Sequence, residues 1–392
     1  MSARTAVAVV FVVNGFAFAS WVSRIPAARE RLGLGNGELG LLLLALSVGS
    51  LVALPLTGAL VRRFGAARVL SGAAWSAALG LVLIGTGAGG PESVVVVALG
   101  LLVYGVGTGS WDVAMNIEGA AVEHALGRTI MPRFHAGFSL GTVLGAVTGA
   151  LAARADVPAL WHLGPVALVS LGLALRAVRD FLPVVAEEEA VPTEPGSVFA
   201  AWREPRTLLI GLMVLALAFT EGTANDWLGV ALVDGYAVEK WVGVAGFAVF
   251  VVSMTLGRWF GSGLLDRFGR VAVLRATILA ALVGVALLVS GAQVAGSPGA
   301  ALAVVGIALW GLGASLGFPV GMSAAGDDPV HAAARVSVVS TIGYAAFLAG
   351  PPVLGFLADR VGTLEALLAV AALLVPAALV VPAARREDPA TP

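Results

Sequence analysis

Gly263-Leu264-Leu265-Asp266-Arg267-Phe268-Gly269-Arg270 sits between two long apolar runs, and a related octet, Gly58-Ala59-Leu60-Val61-Arg62-Arg63-Phe64-Gly65, sits between two others. Arg62-Arg63-Phe64-Gly65 and Asp266-Arg267-Phe268-Gly269 are 204 residues apart. Nearly the same spacing recurs elsewhere. Tyr104-Gly-Val-Gly107 matches Trp310-Gly-Leu-Gly313 at an offset of 206. Gly137 and Gly149 match Gly343 and Gly355, and Ser20-Trp21-Val22 matches Asp226-Trp227-Leu228, at that same offset. One such pair is weak; four in register mark a duplicated chain.

The runs around these loops set the class. A helix crossing the hydrocarbon layer needs about 20 apolar residues at 1.5 Å rise each. About twelve segments qualify, at roughly 5–26, 38–61, 68–89, 93–117, 133–153, 159–179, 206–228, 241–265, 270–291, 298–322, 335–357 and 363–383. Composition agrees: 59% of residues are hydrophobic, 12% are charged, and mean hydropathy is +0.96. Soluble domains run nearer 45–50% and 25%, so the expected partner is the lipid bilayer. A net charge of −1 offers no footprint for nucleic acid. The chain has no cysteine, and His124, His135, His162 and His331 are scattered without ligand spacing. No metal, no cofactor beyond a coupling proton and no enzymatic activity are expected.

Arginine and lysine orient the chain. With the N-terminus inside, sixteen of the 23 basic residues fall in inner loops and six in outer ones, and Arg258 stays within a helix. Positive charge collects on the cytoplasmic side, which places both termini in the cytoplasm and the protein in the plasma membrane. The polar stretch containing Glu187-Glu188-Glu189 reads as a solvated cytoplasmic linker at 184–204. It divides the chain into six-helix bundles at 1–183 and 205–392. Six helices separate the copies, an even number, so the repeats run parallel.

With these features the chain resembles the major facilitator superfamily. The signature of that family after the second helix is Gly-x-Leu-Ala-Asp-Arg-x-Gly followed by basic residues, and Gly263–Arg270 is a good copy. In the first half Arg62 stands where the family has Asp. The resemblance implies an all-α integral membrane fold of twelve helices in two bundles. It also implies alternating access, a small-molecule substrate and function as a monomer. Gly109-Ser-Trp-Asp112-Val-Ala-Met-Asn116 is similar to the fucose permease branch, where the acid belongs to proton-coupled sugar binding. The first-helix acid of that branch is absent; Phe11 to Arg24 offers Asn14, Ser20 and Ser23 instead.

Several residues could carry the chemistry. Asp112 and Asn116 are four apart and share a helix face. A carboxylate inside the bilayer costs at least about 2.5–3.5 kcal/mol, so it should face water, a partner or substrate. Asp112 is the expected proton-coupling residue; a static packing pair is the competing reading. Glu221 and Asn225 share a face of the seventh helix, as substrate contacts or as an outer salt bridge using Arg24. Asn14, near the midplane, suits a substrate contact or an interhelix hydrogen bond. Trp21, Phe318 and Tyr344 offer flat faces to a substrate, or else lie against lipid. Arg258, Asp266 and Arg267 read as gating residues near the inner end, and His135 as a proton relay or a packing residue. Gly137, Gly141, Gly145 and Gly149 form a smooth ridge, as do Ser253, Gly257 and Gly261. Small ridges let helices approach and slide, so the two are expected to form the seam on which the halves rock.

The function expected from this is proton-coupled symport of a small, sugar-like solute. Proton-driven efflux of an amphipathic compound and a non-transporting membrane sensor are the alternatives.

Overall fold

Lipid offers no hydrogen bonds, so an apolar spanning run must satisfy its backbone within itself, and a helix does so. The computed structural model describes residues 1–90, 92–127, 130–182, 200–328 and 331–386, and every regular element among them is helical. The first half contains α1 (Ala3–Val22), α2 (Ile25–Arg31), α3 (Asn36–Phe64), α4 (Ala66–Gly89), α5 (Val94–Leu126), α6 (Met131–Arg154) and α7 (Ala159–Ala177). The second contains α8 (Pro205–Tyr236), α9 (Lys240–Gly291), α10 (Ser297–Ala314), α11 (Gly317–Ala325), α12 (Ala332–Val361), α13 (Thr363–Ala366) and α14 (Leu368–Val380). Residues 183–199, with Glu187, Glu188 and Glu189 of the expected linker, lie outside the described residues.

Eleven helices among the described residues are long and apolar enough to cross a membrane. The sequence reading expected two helices where α9 stands. As one straight rod, its 52 residues would extend about 78 Å, more than twice the hydrocarbon core. Gly269 breaks it with φ 76° and ψ 162°. Gly65, between α3 and α4, has φ 83° and ψ 152°. The two repeated octets therefore end in the same turn, at a positive φ that glycine adopts without a Cβ penalty.

The sequence offset also appears in the packing. A Cβ on Gly80 would strike Tyr104, and one on Gly284 would strike Trp310. Gly107 lies against Ala77 as Gly313 lies against Ala281. In the first half α4 packs on α5 and α7, α3 on α5, and α1 on α6. In the second, α9 packs on α10 and α12 on α8. The halves join where α3 meets α12 and α6 meets α9, with α2 reaching α8.

The glycine ridges are not that seam. Gly137, Gly141 and Gly145 face Val12 and Phe16 of α1, and Gly149 faces Ser23 just beyond it, all inside the first half. Gly257 and Gly261 face Ser315 and Leu316, inside the second. Spaced glycines announce close approach without saying to what. The close approach between halves falls instead on Gly37, Gly40 and Gly355. A Cβ on Gly40 would stand 2.9 Å from the Pro352 Cα, and one on Gly355 would stand 3.1 Å from the Asn36 carbonyl carbon.

A second difference concerns the tenth expected helix, at 298–322. It is interrupted between Ala314 and Gly317, leaving α10 and α11.

At Gly145 a Cβ would lie 2.5 Å from the Phe16 carbonyl oxygen. Gly145→Leu should therefore overpack the α1–α6 contact, at about 1–3 kcal/mol or more. Lower yield and a lower unfolding temperature in detergent are expected. Wild-type thermal stability with abolished transport would return the ridge to the role of a sliding seam.

Candidate functional site

Polar side chains that cannot reach bulk water collect where α1, α5, α8, α9 and α12 face one another. On α5 the Asn116 side-chain amide donates to the Asp112 carbonyl at 2.8 Å and to its Oδ1 at 3.3 Å. Both residues are half-buried. No cation pairs with Asp112 among the described residues. Tyr344 stands on α12, in the other half. Tyr344 is flanked by Phe318 and Phe347, with ring centroids 5.9 Å and 6.4 Å away. An acid and an amide on α5 and an aromatic cluster on α11 and α12 thus come from opposite halves.

The second polar group is Arg258. Its Nη2 donates to both Glu221 oxygens, at 3.1 Å and 3.0 Å. Its Nε donates to the Ser315 carbonyl at 3.2 Å. The α10–α11 interruption frees that carbonyl, since a continuous helix would bond it internally. The ring of His135 on α6 stands edge-on to Phe11 at 5.2 Å.

Some expected site residues stand elsewhere. The Glu221 carboxylate is occupied by Arg258, neither free for substrate nor paired with Arg24. Arg24 is buried and donates from Nε to Nδ1 of His162 at 2.8 Å. Asn225 lines a separate cavity between α1–α2 and α8, away from Asp112. Trp21 is 2% exposed and closed into the core. Asn14 is buried and turns its Nδ2 to the Met115 sulfur at 3.8 Å, an interhelix contact. Asp266 and Arg267 are exposed. Arg267 lies over Phe268 at 5.1 Å, and Asp266 has no ion pair among the described residues. Neighbouring Arg270 is held by both Asp327 oxygens at 2.8 Å, within the second half.

The hydrogen bonds and ion pairs that join the halves between described residues all lie toward one end. Arg29 pairs with Asp234 at 2.5 Å, and Lys240 pairs with Glu30. Arg154 covers the Trp241 ring at 5.2 Å, and Ser47 donates to the Phe347 carbonyl at 2.7 Å. Asp359 of α12 accepts from the Asn36 and Gly37 N–H groups at 3.0 Å and 2.9 Å. It caps the α3 N-terminus from the opposite half, where orphan donors and the helix dipole favour an anion. At the opposite end His135, Asp266 and Arg267 are exposed. The described contacts that tie the halves together thus gather at one end, which they seal.

Sequence reading passed over Asp359, although the signal was there. Gly355-Phe-Leu-Ala-Asp359-Arg-Val-Gly362 is a third copy of the octet, and Gly362 has φ 96° and ψ 153°, the same turn as Gly65 and Gly269. It stands at the sealed end of the bundle.

The chain belongs to the major facilitator superfamily, whose sequence profile matches residues 7–328. It is a membrane transporter and not an enzyme. It is 34% identical over 381 residues to an uncharacterised MFS-type transporter of Yersinia pestis, covering 95% of this chain and 93% of that one. It is 28% identical over 367 residues to the membrane protein MosC of Rhizobium meliloti, covering 93% and 86%. Among solved structures it resembles a variant of the nucleoside transporter NupG, with TM-score 0.81, 15% identity and coverage of 98% and 100%. It also resembles the E. coli fucose:proton symporter, with TM-score 0.62, 16% identity and 98% coverage of both chains. These structural likenesses speak for the fold.

Removing one member of the Arg258–Glu221 pair strands the other charge. Arg258→Met should destabilise at the lower end of about 3–5 kcal/mol, since neither group is fully buried. The double variant Arg258→Gln/Glu221→Gln should recover most of the unfolding temperature. No recovery would mean that the pair is not the source of the loss.

Asp359→Ala should loosen the sealed end. The chain has no cysteine, so a single Val244→Cys in the buried seam reports opening through labelling by a water-soluble maleimide. A charge-assisted cap at a helix N-terminus contributes about 0.3–2 kcal/mol, which predicts up to about thirtyfold faster labelling. An unchanged rate would remove Asp359 from the seal.

Proposed function

We propose that this chain is a secondary transporter moving a small polar solute across the cytoplasmic membrane by alternating access, as a proton symporter. Counting α9 as two passes that meet at Gly269 gives twelve spans. The bundles are then 1–183 and 205–392, joined by the 184–204 linker, and both termini lie in the cytoplasm. Sixteen basic residues on the inner side against six on the outer support that orientation. The sealed end is then the outer one. The transporter works as a monomer.

The observation that carries this reading is the Asp112 carboxylate. It is half-buried, held by Asn116, and without a cation among the described residues. An acid so placed is costly while ionised, and a proton relieves the cost. Proton arrival and substrate binding at one carboxylate couple the two. Arg258 is already neutralised by Glu221, so the site has no spare cation for an anionic substrate. The aromatic rings of α11 and α12 suit an uncharged molecule with hydroxyls and a flat apolar side. That description covers sugars and nucleosides, in keeping with the nucleoside transporter and the fucose:proton symporter among the structural neighbours.

Proteoliposome uptake tests the reading. Wild-type uptake of the transported solute should follow an inward proton gradient. Asp112→Asn should lose that dependence while retaining substrate counterflow. Wild-type uptake indifferent to pH and membrane potential would exclude symport.

A further inference from the structure

A second carboxylate lies inside the sealed end. Asp226 of α8 lines a small cavity between the halves, with room for at most about one water molecule. Val22, Ser23 and Pro26 line it from the first half; Asn225, Asp226 and Phe247 line it from the second. Asp226 has no hydrogen bond or ion pair among the described residues. Its repeat counterpart, Ser20, is satisfied locally by donating to the Phe16 carbonyl at 2.7 Å. The second half therefore carries an acid where the first carries a self-satisfied hydroxyl.

The charged groups on the surrounding elements are engaged elsewhere. On the α1–α2 side, Arg24 is turned to His162, Arg29 to Asp234 and Glu30 to Lys240. On α8 itself, Glu221 is paired with Arg258. At the start of α9, Glu239 accepts from the Trp241 ring nitrogen, and Arg154 of α6 covers that ring. On α12, Asp359 caps α3, while Arg360 and Glu365 are exposed. The spans α10, α11 and α14, which also pack near α8, carry no ionisable side chain. Asp226 is half-buried, and a carboxylate in a largely apolar seam with no cation beside it among the described residues is costly while ionised, a cost that a proton relieves.

We propose that Asp226 is a second proton-binding residue of the transport cycle, one that must be protonated for the sealed end to close and that ionises when that end opens to water. Asp112 binds its proton where substrate sits; Asp226 binds one in the gate. Closing the gate then requires a proton from the side facing the sealed end. The inference rests on the alternating-access reading, but not on Asp112 as the coupling residue.

The Val244→Cys reporter tests it, because Val244 lines the same cavity. Maleimide labelling of protein in nanodiscs is measured from about pH 5 to about pH 9 and normalised to the unfolded chain at each pH. Accessibility should rise about tenfold or more as Asp226 ionises. Asp226→Asn should stay slow and flat across the range, while Asp226→Glu keeps the rise. Asp112→Asn should keep the rise as well, which separates gate from substrate site. A pH response unchanged by Asp226→Asn overturns the proposal. So does a flat wild-type response in a reporter that Asp359→Ala still opens. A reporter that stays closed in every variant and condition overturns the alternating-access reading and this proposal with it.

Discussion

A charge inside a low-dielectric bundle must find a partner, a proton or water, and much of the molecule can be read as the working out of that demand. Arg258 is satisfied by Glu221 and by a carbonyl that a broken helix exposes. Arg24 turns its Nε to a histidine nitrogen. Asp359 is satisfied by the free N–H groups of a helix belonging to the other half. Asp112 and Asp226 have no cation among the described residues. Groups of the first kind hold helices in place. Those of the second kind are where the proposed protons would bind.

The same demand separates backbone symmetry from chemical symmetry. The two halves repeat their turns at Gly65 and Gly269 and their packing at Tyr104 and Trp310. Their polar side chains are not repeated. Glu221 stands where the first half has Gly15, and Asp226 where it has Ser20. The first half supplies the acid and amide at Asp112 and Asn116. The second supplies the Arg258–Glu221 pair and the aromatic wall of Phe318, Tyr344 and Phe347. Duplication gives two bundles of one backbone plan; divergence at a few positions gives them different side chains.

The glycine ridges show where sequence reasoning overreached. Small residues every fourth position do imply that two backbones meet closely, and they do meet. But α1 and α6 belong to one half, so the ridge that looked like a moving seam is a fixed one. The α3–α12 part of the seam lies along Gly37, Gly40 and Gly355, whose irregular spacing gave no ridge to notice. Asp359 could have been found from its octet, which was written in the chain a third time. Asp226 was visible as an interruption of an apolar run. Its isolation from every cation was not, because the neighbours that ignore it come from distant segments.

Sequence alone determined the helical class, the duplication and the family, because lipid permits few ways to satisfy a backbone and each leaves a long apolar run. It also singled out Asp112 with Asn116, since four residues of separation set a common helix face whatever the tertiary fold. Which charges neutralise one another, which glycines touch across the halves and which end is shut were decided only in three dimensions. Those facts depend on contacts between segments far apart in the chain, and an individual helix carries no record of its neighbours.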